Sequence, residues 1–182
     1  MIELIYQAKM WCRGKPWWWR LPLLLWFIFE LKINLQNPSA SIFHLLNLPI
    51  HEMGHVIFHY TGMMFLMVAG GTITQLAAPL YGMWNFWLQK DFFAIALCFG
   101  WLSTNLFDIS VYMGDARSQS LQLVSLGSGE PLHDWHYLLG HMGLLPFDHF
   151  FAGTVWLIAL LSMLFCFAAG GWLLWQMAFN AE

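Results

Sequence analysis

An all-α protein threaded several times through a membrane is the fold class this sequence predicts, on three observations. Of 182 residues, 59% are hydrophobic and only 9% charged, against about 25% charged in a soluble domain. From Met53 to Gln89, 37 residues pass without an Asp, Glu, Lys or Arg. From Phe150 to Ala181 another 32 do the same. A bilayer crossing needs about 20 apolar residues, so each stretch is long enough. The same figures exclude a soluble enzyme and a disordered chain. With a net charge of −3 and no basic block to grip phosphates, they also exclude a nucleic-acid binder.

The elements follow in order as one membrane domain over 1–182, with about five transmembrane helices and a short interfacial helix. Residues 1–41 form a basic N-terminus and first helix. Lys9, Arg13, Lys15 and Arg20 are four of the seven basic residues, and Trp17-Trp18-Trp19 suits the bilayer interface. The first helix is expected over about 17–36, uncleaved, with its basic end in the cytoplasm. Asn37-Pro38 marks a turn. Residues 42–113 make a three-helix core. Its first helix runs over about 42–67, a tight connection falls at Gly70-Gly71, the next helix reaches about Leu88, and the last spans 92–113 after the interfacial pair Lys90-Asp91. A polar loop over 114–149 gathers Asp115, Arg117, Glu130, Asp134, Asp148 and four histidines. Within it Pro131 to Leu145 is expected to form a short helix, stopped by Pro146, and the last span covers about Phe151 to Phe179. Cys12, Cys98 and Cys166 are odd in number and widely spaced, so they read as small apolar residues, not as disulfides or metal ligands.

The chemistry concentrates in His51-Glu52-Met53-Gly54-His55, an H-E-x-x-H motif. Residues i and i+4 lie about one helical turn apart, so two imidazoles can close on one metal ion. The Glu between them is placed to take a proton from a metal-bound water. With 8 His and 5 Glu in 182 residues, chance supplies the motif about 1% of the time. Its setting adds weight, because an ionisable residue at membrane depth costs at least about 2.5–3.5 kcal/mol and asks for a function. Pro49, just ahead of the motif, frees a carbonyl and bends the helix.

His44, His51, His55 and His59 share one face of this helix at 100° per residue. His51 and His59 are eight residues, about 12 Å, apart, so the third ligand must come from elsewhere. Counted by helical rise, Asp108 is the acid nearest in depth to His51 and His55, whereas Asp115 falls at the interface beside Arg117, its expected partner. A second source is His133-Asp134-Trp135-His136, folding back over the site. Asp108 and His133 are thus the leading candidates for the remaining metal positions, with Asp134 and Asp115 as alternatives, and Asp108 or Asp134 as a hydrogen-bonding partner of a ligand. Two imidazoles with a carboxylate suit Zn²⁺. Gln75 and Asn105, polar groups among apolar neighbours, are candidate donors to an oxyanion.

These residues resemble the site-2 protease family of intramembrane zinc metalloproteases. The likeness rests on H-E-x-x-H at 51–55 and an acidic helix two spans later, Asn105-Leu106-Phe107-Asp108 through Met113-Gly114-Asp115-Ala116-Arg117, where that family has Asn…Leu-Asp-Gly. Gly70-Gly71-Thr72 and Gln75 stand in place of its Gly-Pro…Asn segment. The resemblance covers about residues 42–117. It implies a zinc-dependent protease in a bacterial inner membrane, with Glu52 activating water, acting on membrane or juxtamembrane peptides. A metal or proton transporter using the histidine stripe is the alternative from another class, and a metal-free assembly protein a third.

Overall fold

The computed structural model describes residues 2–123 and 132–179, and among these every regular element is a helix. In chain order they are α1 (Ile2–Cys12), α2 (Leu21–Gln36), α3 (His44–His59), α4 (Met64–Leu88), α5 (Phe92–Gly114), α6 (Asp134–His141) and α7 (Asp148–Phe179), with single 3₁₀ turns at Pro38–Ala40 and Leu145–Phe147. Three stretches are long and apolar enough to cross a membrane: Met64–Leu88, Phe92–Gly114 and Leu145–Phe179. α2 and α3, at 16 residues each, are about 24 Å long, short of a hydrocarbon core of about 30 Å. Five full-length spans are therefore not what the helices measure.

Local chemistry explains these lengths. Pro38, following Asn37 in extended conformation, cannot continue α2. The expected helix over 42–67 is cut after His59 by a turn in which Gly62 adopts φ +70°, a conformation open to glycine. The chain re-enters helix at Met64, so Gly70-Gly71 are not a connection but lie inside α4. The Asp91 side chain caps α5 by accepting from the Ala94 amide at 3.0 Å. The short helix in the polar loop covers Asp134–His141; its expected start, Pro131, lies outside the described residues. α1 was not anticipated.

α5 is the central element, packed most extensively on α7 and also on α4 and α2. At one end Phe27, Phe93, Met163, Cys166 and Leu173 form the largest apolar cluster, which buries Cys12 of α1. At the other, Ile109, Met113, Leu139 and Ala152 dock α6 onto α5 and α7. α3 pairs with α4 at backbone distance. A Cβ built on Gly54 would stand 2.2 Å from the Gly70 carbonyl oxygen, so any side chain at Gly54 would force the two helices apart. That contact sets the position of the motif on α3 relative to α4.

Candidate metal centre

Residues about two turns apart on α4 serve the two imidazoles of α3. The Met67 carbonyl lies 2.9 Å from His55 Nδ1, and Gln75 Oε1 lies 2.9 Å from His51 Nδ1. Between them Gly71 contributes an absence: a Cβ there would stand 2.5 Å from His51 Nε2 and 2.7 Å from His55 Nε2. The helix backbone thus approaches as closely as it can while leaving room at both nitrogens.

These contacts fix the tautomers. A carbonyl oxygen only accepts, so His55 donates from Nδ1, and in the neutral imidazole its Nε2 is a lone pair. His51 follows through one more link. Gln75 Nε2 donates to Asp108 Oδ2 at 3.2 Å, which turns Gln75 Oε1 toward His51 and requires a proton on His51 Nδ1. In the neutral ring its Nε2 is then a lone pair as well. Both nitrogens face one atom, Asp134 Oδ2, at 2.9 Å from His51 Nε2 and 3.2 Å from His55 Nε2.

Two imidazole nitrogens and a carboxylate oxygen meet at this point, and a cation between them, a proton or a metal ion, satisfies the set. A shared proton would leave an imidazolium on the carboxylate. A metal ion fits equally in donor type and spacing, since ligands about 2.0–2.1 Å from a tetrahedral zinc stand about 3.3 Å apart. His51, Glu52 and His55 also each offer a ligand atom within 4.8 Å of one another. Glu52 is 9% exposed, and among the described residues no hydrogen bond ties its carboxylate. With His51, His55 and Asp134 it lines a cavity of about 580 Å³ between α3, α4 and α5.

Asp134 is held by its own neighbours. It opens α6, where His133 caps the helix by accepting the His136 amide at Nδ1, 3.2 Å away. The Asp134 amide donates to the Tyr112 hydroxyl at 2.9 Å. His133 Nε2 points away from the cavity to Asp115 Oδ2, 3.3 Å distant. Burial pushes the His133 imidazole below its ordinary value, against the pull of Asp115, in keeping with its neutral capping role. The Asp115 carboxylate in turn accepts from Ser118 Oγ, from the amide and hydroxyl of Ser120 and from the Leu121 amide. Burial opposes its charge, yet these donors hold the carboxyl far below the usual range. Through these donors Asp115 forms a clasp on the start of the polar loop, beside His133 at the head of α6.

The structure thus joins His51, Glu52 and His55 as the motif implies, and places Asp134 at their nitrogens. Asp108 sits one step back, on Gln75 and on His44 Nδ1 at 3.1 Å. Counting rise along separate helices favoured Asp108 because it treats them as level and cannot register a loop folding back from 83 residues away. His133 Nδ1 is taken up by its cap, and its Nε2 faces Asp115 and not the two imidazoles. Arg117 pairs not with Asp115 but with Asp148. The histidine stripe divides, with His44 on Asp108 and His59 at the exposed edge beside Met67 Sδ. Gln75 is committed at both ends, and Asn105, fully buried, donates to the Trp101 carbonyl, so neither is free to face a substrate. Tyr112, not singled out from sequence, signals itself only by lying one turn beyond Asp108.

No family model, curated protein or solved structure matches this chain.

Proposed function

We propose that the protein is a membrane-embedded zinc hydrolase, a metalloprotease of the site-2 protease kind that cuts membrane or juxtamembrane peptide segments. The observation that carries this reading is the meeting of two imidazole Nε2 atoms and the Asp134 carboxylate beside the unengaged carboxylate of Glu52. The third ligand in this reading is Asp134, with Asp108 orienting His51 through Gln75. α2 and α3 belong to the membrane part as well, since the side chains they expose, such as Leu25, Ile28, Phe29, Leu45, Met53 and Ile57, are apolar.

A zinc ion bound by His51, His55 and Asp134 would supply Lewis acidity, lowering the pKa of water and polarising a carbonyl. The chain does the rest. Glu52 accepts a proton from the attacking water on its carboxylate and returns it to the departing amine. Met67 and Gln75 keep both imidazoles in the tautomer that binds through Nε2. The cavity receives a segment that has locally unwound, because a peptide bond locked in a helix is poorly presented to attack.

The test is metal analysis of purified protein together with cleavage of a membrane-helix peptide. Wild-type protein is expected to hold about one metal ion per chain. Glu52→Gln is expected to keep the metal and lose cleavage by at least about 10³-fold. Wild-type protein that retains no stoichiometric metal when zinc is supplied overturns the reading.

A further inference from the structure

Of the two oxyanion donors suggested by sequence, Gln75 lines the cavity but is spent on His51 and Asp108, and Asn105 lies outside its lining; a different group stands in their place. The Tyr112 hydroxyl receives the Asp134 amide at 2.9 Å. Its ring lies 4.4 Å from that of His133 and 6.2 Å, edge-on, from that of His51. The side chain is thus wedged between the residue capping α6 and one imidazole of the centre, and it lines the same cavity as Glu52. Among the described residues, none accepts the proton of this hydroxyl. Accepting a hydrogen bond polarises an O–H and strengthens the bond it can donate. The hydroxyl is therefore fixed at its oxygen and open at its hydrogen, beside the carboxylate that faces both imidazoles.

We infer that Tyr112 is a catalytic residue whose hydroxyl donates a hydrogen bond to the substrate's carbonyl oxygen as that oxygen becomes negative. The inference rests on the hydrolase reading above. As the water oxygen bonds to the carbonyl carbon, the carbon–oxygen π pair moves onto the carbonyl oxygen, and the water proton passes to Glu52. Tyr112 keeps its own proton throughout and offers it as a hydrogen bond. The C–N bond then breaks, with the proton from Glu52 going to nitrogen. A donor aimed at the developing charge, and not at the ground-state carbonyl, raises kcat more than it lowers KM.

Tyr112→Phe removes the hydroxyl and keeps the ring. Three measurements on the full-length protein in detergent separate the roles: kcat and KM for a membrane-helix peptide, zinc affinity by chelator competition, and binding of a phosphinic peptide that mimics the tetrahedral carbon. Expected are a fall in kcat of about 10²-fold or more, little change in KM, weaker phosphinate binding by a similar factor, and zinc affinity within a few-fold of wild type. If kcat per bound zinc is unchanged, or excess zinc restores both kcat and phosphinate binding, Tyr112 only supports Asp134 and the inference fails. A Phe variant too unstable to bind zinc would place Tyr112 in the structure of the site and overturn it as well. Wild-type protein that binds zinc but cleaves no peptide overturns the hydrolase reading itself.

Discussion

Asp134 Oδ2 stands 2.9 Å from His51 Nε2 although 83 residues separate the two in the chain. The contact joins α6 to α3 across the mouth of the cavity and makes Asp134, not Asp108, the carboxylate that meets both imidazoles. Asp134→Ala is expected to lower zinc affinity more than about 100-fold, beyond the 10–100-fold typical of residues that only support a ligand. Chelator competition on purified protein measures it, and a loss no larger than that of Asp108→Asn would count against the assignment.

Gln75 carries the influence of Asp108 to His51. With Asp108 replaced by Asn, nothing compels the Gln75 amide to keep its oxygen toward His51, and the Nδ1 proton loses its defined acceptor. Asp108→Asn and Gln75→Leu are each expected to weaken zinc binding by about 10–100-fold. Because both act through the one hydrogen bond to His51, the double variant should be no worse than the poorer single one. Fully additive losses would show that Asp108 acts by another route.

Gly71 sets helix propensity against space. Ala is favoured over Gly in a helix by about 1 kcal/mol, but a Cβ at this position would lie 2.5 Å from His51 Nε2. Gly71→Ala is expected to abolish zinc retention. Gly153→Ala, on α7 where a Cβ meets nothing within 4 Å, should retain zinc and melt at the same temperature or slightly higher. Equal zinc content in the two variants would mean that the site is not where the imidazoles place it.

Acid should open the clasp that Asp115 makes on the start of the polar loop. The Asp115 carboxyl is held below its ordinary value of 3.8 in the folded protein. Its contribution is therefore fully present above that value and is lost as pH falls below it toward the folded pKa. Asp115→Asn should lower the melting temperature by about 5 °C at pH 6, and the gap from wild type should narrow as pH drops below about 4. A gap that stays constant from pH 6 to pH 3 would show that the charge contributes nothing to the clasp.

How much of this was legible beforehand follows from the range of the interactions. Helix identity and the motif on α3 are short-range facts, written in hydropathy and in i, i+4 spacing. The break after His59 was missed because Thr61-Gly62 sits in a run of apolar residues whose hydropathy conceals a left-handed turn. Gly70-Gly71 were misplaced for a related reason. Paired glycines mark a turn when the chain must bend, and mark a helix–helix contact when another backbone comes within reach, and only the position of Gly54 decides between them. Asp134 was among the alternatives but could not be chosen, since helical rise says nothing about where a loop returns. The pairing of Arg117 with Asp148 in place of Asp115 has the same origin: Asp115 finds four closer donors in its own loop.

The distance in sequence between His51 and Asp134 also orders events during synthesis. A ribosome adding about 5–20 residues each second needs about 4–17 s to travel from one to the other. In the later part of that interval, once α4 is complete at Leu88, both imidazoles and Glu52 have been made, yet Asp134 has not. On the proposed reading a half-made chain cannot cut its neighbours, and hydrolytic competence arrives only when the second half of the polypeptide has been made and has folded back on the first.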